Sequence, residues 1–182
     1  VEPRRLCRGG SDLALIRINI EEATMRAKAQ QDPPPSDAET AAHMSDLAEL
    51  FMEHSRADGH SFDWDPAFLR HLDNYCAEFA AAEPPPEVTH SMILSAGAYL
   101  GEMIVRNCGW RWVYCADEKA AAVESPGGVR GYPHNKVAKR IREGTVHDLE
   151  AFFQYAATGE APRGSAARVI KPSWWRRLRS RA

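Results

Sequence analysis

The sequence predicts an α+β domain: three N-terminal helices, a small antiparallel sheet of about three strands, and two C-terminal helices. Two observations carry this reading. Residues 93–114, ILSAGAYLGEMIVRNCGWRWVY, change from a helical to a two-residue hydrophobic period within a few positions. Around them, apolar-periodic segments are separated by proline- and glycine-rich breaks short enough to make neighbouring helices antiparallel.

Residues 1–43 read as a weakly structured extension. LALIRINI (13–20) has the composition of a short strand and EEATMRAKAQQ that of a helix, and Asp32-Pro33-Pro34-Pro35 interrupts any regular element. Met44 is an alternative start, so the single domain is expected over 44–159. Its first helix is capped by Ser45, carries Leu47, Leu50 and Phe51 on one face, and stops near Gly59. A second helix starts at Asp65-Pro66, with the aspartate as N-cap and proline at the first helical position, and runs to about Ala82. Phe68, Leu69, Leu72, Tyr75, Cys76 and Phe79 form its apolar face.

After Glu83-Pro84-Pro85-Pro86 comes the central helix. Met92, Ile93, Ala96, Tyr99, Leu100, Met103 and Ile104 follow the i, i+3, i+4, i+7 spacing of one face. Gly97 and Gly101 each cost about 1 kcal/mol there relative to alanine. That loss is expected to be offset by a ring or backbone approaching the bare helix surface. Gly109 ends the helix in a left-handed conformation. Trp110, Trp112 and Tyr114 then alternate with Arg111, Val113 and Cys115 as a half-buried strand whose tryptophans pack back onto the glycines. A weaker strand over 121–124, the Ser125-Pro126-Gly127-Gly128 turn and a third strand over 129–132 complete the sheet. Pro133 opens a basic helix that turns Val137 and Ile141 inward, with Lys136, Lys139, Arg140 and Arg142 around it, closing at Gly144. Thr145 and Asp148 resemble a capping box. The last helix buries Leu149, Phe152, Phe153 and Ala156 and ends at Gly159.

Composition narrows the function classes. In 182 residues, 44% are hydrophobic and 26% charged, as in ordinary globular domains. No run approaches 18 consecutive apolar residues, and no secretory signal is evident. The four cysteines lack CxxC spacing and read as free thiols of a cytoplasmic protein. The net charge of −2 hides an asymmetry. Residues 163–182 hold seven basic side chains and no acidic one, which leaves 16 basic and 25 acidic upstream, a net of −9. The tail, 160–182, sets Trp174 and Trp175 beside Arg176, Arg177, Arg179 and Arg181. Adjacent indoles and cations suit a peripheral membrane contact, a protein partner, or a solubilising tail. Nucleic-acid binding would need the tail and Lys136, Lys139, Arg140 and Arg142 to form one basic face, and it is not the expected partner.

Catalytic motifs are sparse. His54, His60, Asp63 and Asp65 crowd one loop, but HEXXH, CxxC and the EF-hand pattern are absent, and neither metal nor cofactor is expected. Glu102 lies between two apolar turns, either as a rim carboxylate paired with Arg106 at i+4 or as a functional acid. If the protein is an enzyme, Glu102 and His134 are the catalytic candidates, in a pocket with Tyr99, Trp112 and Arg140. The leading expectation is a non-enzymatic interaction module that binds a protein partner through its acidic body, with Trp174, Trp175, Arg176 and Arg177 as a second contact.

From Phe62 to about Ala157 the chain resembles bacterial families of unknown function. Their pattern combines an "SL..LD" helix, a "GAYLGEVI" helix, a tryptophan strand and a closing "P...V.KR...G...L..F" segment. The matching residues are Leu69, Leu72, Asp73, Gly97, Tyr99, Gly101, Glu102, Trp112, Pro133, Val137, Arg140 and Gly144. Trp110 and the long N-terminal extension depart from the pattern. The resemblance implies a small intracellular α+β module and transfers no activity.

Overall fold

The computed structural model describes residues 33–160, and the compact unit begins at Pro35. Five helices and a three-stranded antiparallel sheet make an α+β fold: α1 (Asp37–Ala57), α2 (Phe68–Ala81), α3 (Pro86–Cys108), β1 (Arg111–Cys115), β2 (Ala120–Glu124), β3 (Arg130–Gly131), α4 (Pro133–Glu143) and α5 (Leu149–Thr158). Three helices precede the sheet and two follow it, as the sequence predicts.

The first helix differs from expectation at its start. It is capped by Ser36, not Ser45, and Ser36 and Glu39 form a reciprocal capping box. The Ser36 side chain accepts from the Glu39 N–H at 3.2 Å, and the Ser36 N–H donates to Glu39 Oε2 at 2.8 Å. Residues 37–43 are therefore helical, and Thr40 is buried. The triple proline just before Ser36 stops the chain from being helical and sets up the cap. Asp37 then reaches the sheet: its carboxylate accepts from the Tyr114 N–H at 3.0 Å and pairs with Arg111 at 3.1 Å. This carboxylate from α1 satisfies a backbone N–H that the β1 edge of the sheet would otherwise expose. The inner face of α1 is Met44, Ala48, Phe51 and Ser55, while Leu50, expected inside, is 39% exposed.

Asp65 does not cap α2. It caps the turn before it, accepting from the Ala67 N–H at 2.8 Å, and α2 begins two residues later than expected. Around α3, which is buried from Ala96 to Ile104, lie α1, α4 and α5. Its C-cap Gly109 is left-handed, at φ 69°. The sheet order is β1-β2-β3, with Arg111 opposite Glu124 and Cys115 opposite Ala120. β3 is only two residues long. The segment after α4 corrects a further expectation: Gly144–His147 is a turn of 3-10 helix, and Asp148, not Thr145, caps α5 by accepting from the Ala151 N–H at 3.0 Å.

The core is continuous from α1 to α5. Phe51, Leu69, Leu72, Tyr99, Leu100, Met103, Ile104, Val123, Val137 and Leu149 are its most deeply buried large side chains. Among the described residues no helix is long and apolar enough to cross a membrane.

Candidate functional site

The glycine stripe of α3 positions the polar groups that the sequence singles out. Gly101 leaves space for the Trp112 indole, and a Cβ there would overlap the ring atoms Cζ2 and Cη2. Gly97 does the same for His134: a Cβ would lie 2.6 Å from its Cδ2 and 2.7 Å from its Cα. The tryptophan strand and the start of α4 thus seat side by side on one bare helix surface, with the Trp112 and His134 rings 6.0 Å apart.

Seated this way, Trp112 directs its indole N–H at Glu102, and Nε1 donates to Oε1 at 2.8 Å. Oε2 pairs with Arg106 Nε at 3.0 Å. Arg106 in turn lies 3.9 Å over the Trp64 ring, which stacks on Tyr99 with centroids 5.3 Å apart. The Arg106 pairing expected of Glu102 is present, but the carboxylate is buried and does not lie at the rim. Glu102 is 6% exposed, and each oxygen has its own donor. Such a carboxylate holds a strand to a helix. It has an indole N–H on one oxygen and a guanidinium on the other, where a general acid or base needs an oxygen facing substrate.

The other pocket candidates separate. Tyr99 is fully buried among Phe51, Phe62 and Trp64, and its hydroxyl donates to the Asp63 backbone carbonyl. Arg140, one of the basic residues set around α4 and a pocket candidate, is 4% exposed and points at α2. Its Nε and Nη2 donate to the two Asp73 carboxylate oxygens, each at 2.7 Å, in the bidentate geometry guanidinium favours. Arg140 is thereby unavailable to the basic face with Lys136, Lys139 and Arg142 that nucleic-acid binding would need. Glu102, Trp112 and His134 are brought together, and Tyr99 and Arg140 are committed elsewhere. Trp174, Trp175, Arg176 and Arg177 lie outside the described residues.

His134 is the one member of the group with an idle atom. Its Nε2 is shielded from solvent and, among the described residues, has no hydrogen-bond partner. Burial pulls its pKa down to about 4, with the Leu94 backbone acceptor opposing the fall and His43 adding to it. The unfolded chain, whose histidine titrates near pH 6.5, therefore binds more protons than the folded one between these values. Stability from this site is fully present above about pH 6.5 and is lost as pH falls towards 4. Urea midpoints at pH 7 and pH 5 should differ more for the native chain than for His134→Gln. Equal pH slopes in the two proteins would assign the acid sensitivity to other groups.

Among the described residues no three His, Cys, Asp or Glu side chains converge as a metal-binding group. The sequence reading missed two arrangements. One is the Asp73–Arg140 pair, whose partners are 67 positions apart. The other is His71, which faces His60 from one turn inside α2 (Nδ1 of His60 to Nε2 of His71, 3.4 Å). Neither carries a local motif. No protein-family model, curated protein or solved structure matches the chain.

Proposed function

We propose that the chain is a small cytoplasmic, non-enzymatic protein-interaction module, with an acidic body as its main docking surface and the basic tryptophan tail as a second contact. The observation that supports this reading most directly is the commitment of Glu102. Its oxygens are taken up by Trp112 and Arg106, just as the Arg140 fork is taken up by Asp73. The residues that carry the resemblance to the bacterial pattern include these same ties: Asp73 with Arg140, and Gly101 with Trp112, Glu102 and Pro133. In this light the pattern encodes a fold, and specificity falls to the outer surfaces. The thiols of Cys76, Cys108 and Cys115 are free, in keeping with a reducing compartment.

The outer face of α1 is the part of the body best suited to docking. Asp46, Glu49 and Glu53 are exposed around Leu50, and among the described residues none of the three carboxylates has an ion-pair partner. Such a surface steers a basic partner more than it adds affinity. Cross-linking of the full chain in native extract tests the reading. The triple variant Asp46→Lys, Glu49→Lys, Glu53→Lys should lose its main cross-linked partner. Removal of residues 173–182 should weaken that partner's capture or the binding to anionic vesicles, and Glu102→Gln should leave both unchanged if it folds. The opposite pattern, with Glu102→Gln abolishing ligand capture and charge reversal silent, would favour a ligand-binding or enzymatic pocket at Glu102 and His134.

A further inference from the structure

The loop between α1 and α2 folds back so that His60 meets His71. His60 Nδ1 and His71 Nε2 stand 3.4 Å apart, with ring centroids 5.3 Å apart and the ring planes 44° to each other. Both residues are half-buried. Each ring is braced from behind. His60 packs on Tyr75 at 4.7 Å and His71 on Phe62 at 4.8 Å. The loop itself is held by the His60 N–H donating to the Ser55 carbonyl at 2.8 Å and by Tyr75 donating to the Asp58 carboxylate at 3.0 Å. That carboxylate places a negative charge two residues from His60.

A hydrogen bond between two imidazoles uses one N–H and one lone pair and leaves the spacing at the long end of its range. The same spacing has a second meaning. With metal–nitrogen bonds of about 2.0–2.1 Å, two ligands at a tetrahedral angle stand about 3.3–3.4 Å apart. We infer that His60 and His71 form a two-histidine chelate for a borderline divalent cation such as Zn²⁺, with solvent filling the remaining positions. Imidazole pairs favour Zn²⁺, Ni²⁺ and Cu²⁺ over Mg²⁺ and Ca²⁺, which prefer oxygen. Binding requires the Nε2–H tautomer of His60 and the Nδ1–H tautomer of His71. The proton shared between the rings moves to a far nitrogen, and neither imidazole changes charge. The cation would pin the α1–α2 loop to α2, and through the Tyr99–Asp63 bond it would also secure the loop's hold on α3.

Ring-nitrogen NMR of the full, reduced chain during Zn²⁺ titration is the test, with Co²⁺ absorption as a second readout. The expected result is saturable binding in the micromolar range that shifts His60 Nδ1 and His71 Nε2 before any other histidine nitrogen. Co²⁺ should give the intense visible bands of tetrahedral coordination. His60→Gln and His71→Gln should each weaken this site by at least about tenfold, and His90→Gln, on the exposed start of α3, should not. If either glutamine variant fails to fold, the native chain's nitrogen shifts still decide. Zn²⁺ that moves only other histidines or the thiols, or binding that needs millimolar metal, would overturn the assignment. So would equal affinity in the native chain and both variants.

Discussion

Replacing Asp73 with alanine should destabilise the fold by about 3 kcal/mol or more, read as a fall in urea midpoint at constant slope. The reason is the asymmetry of buried ion pairs. An Arg–carboxylate pair inside a protein gains little over a well-packed apolar pair, but deleting one member strands the other. Arg140 is 4% exposed, and both of its links to the carboxylate are 2.7 Å long. Its Nη2 also donates to the Asp73 carbonyl at 3.2 Å, a bond the alanine variant keeps. What remains is a charge with one neutral acceptor in the interface of α2 and α4. The same carboxylate lies 3.5 Å from the Leu149 N–H at the start of α5, so its loss also removes favourable negative charge from that helix N-terminus. A double variant, Asp73→Ala with Arg140→Met, should recover part of the loss, because no charge is then stranded. If Asp73→Ala cost less than about 1 kcal/mol, Arg140 would have to reach water when unpaired, and the pair would be an accessory contact.

Pairs like this one explain which parts of the molecule were legible in the sequence. Local signals read well. The change of period at Gly109 placed the end of α3 and the start of β1, and the glycine stripe foretold a ring seated on the helix. Pro133 and Gly144 bounded α4 correctly. Failures came where a local pattern had two outcomes that only tertiary contacts decide. Arg140 follows Val137 by three residues and precedes Ile141, so it falls beside the buried stripe of α4. Whether it points out or in depends on Asp73, which periodicity cannot supply. For Glu102 the i+4 spacing to Arg106 gives the pairing but not the burial, which follows from Trp112 arriving from the next element. The start of α1 is different. Ser36 and Glu39 form a capping box visible in the sequence, but it lies ahead of Met44 and directly after the triple proline that reads as a linker.

The glycine stripe yields the second large effect, and its sign opposes intrinsic propensity. Gly101→Ala should gain up to about 1 kcal/mol of helix propensity, yet the variant should be less stable than the native protein by about 2–3 kcal/mol. The new Cβ would occupy the volume of Trp112 Cζ2 and Cη2 and lie 3.2 Å from Pro133 Cγ. Neither neighbour can give way cheaply. Trp112 is 3% exposed and anchored by its strand and by the bond to Glu102, while Pro133 is the buried first residue of α4. Displacing the indole breaks the Nε1–Oε1 bond, leaving a buried carboxylate with Arg106 alone. Tryptophan fluorescence and urea unfolding measured together separate the two contributions. A shifted native-state spectrum with a lower midpoint marks a displaced indole. An unchanged spectrum with unchanged or raised stability would mean that β1 can slide off α3 without cost, and the glycine would then owe its place to something other than Trp112. Gly97→Ala offers the internal comparison. Its Cβ would strike His134 near both the ring and the backbone Cα, so the start of α4 must shift as a unit, and the loss should be at least as large.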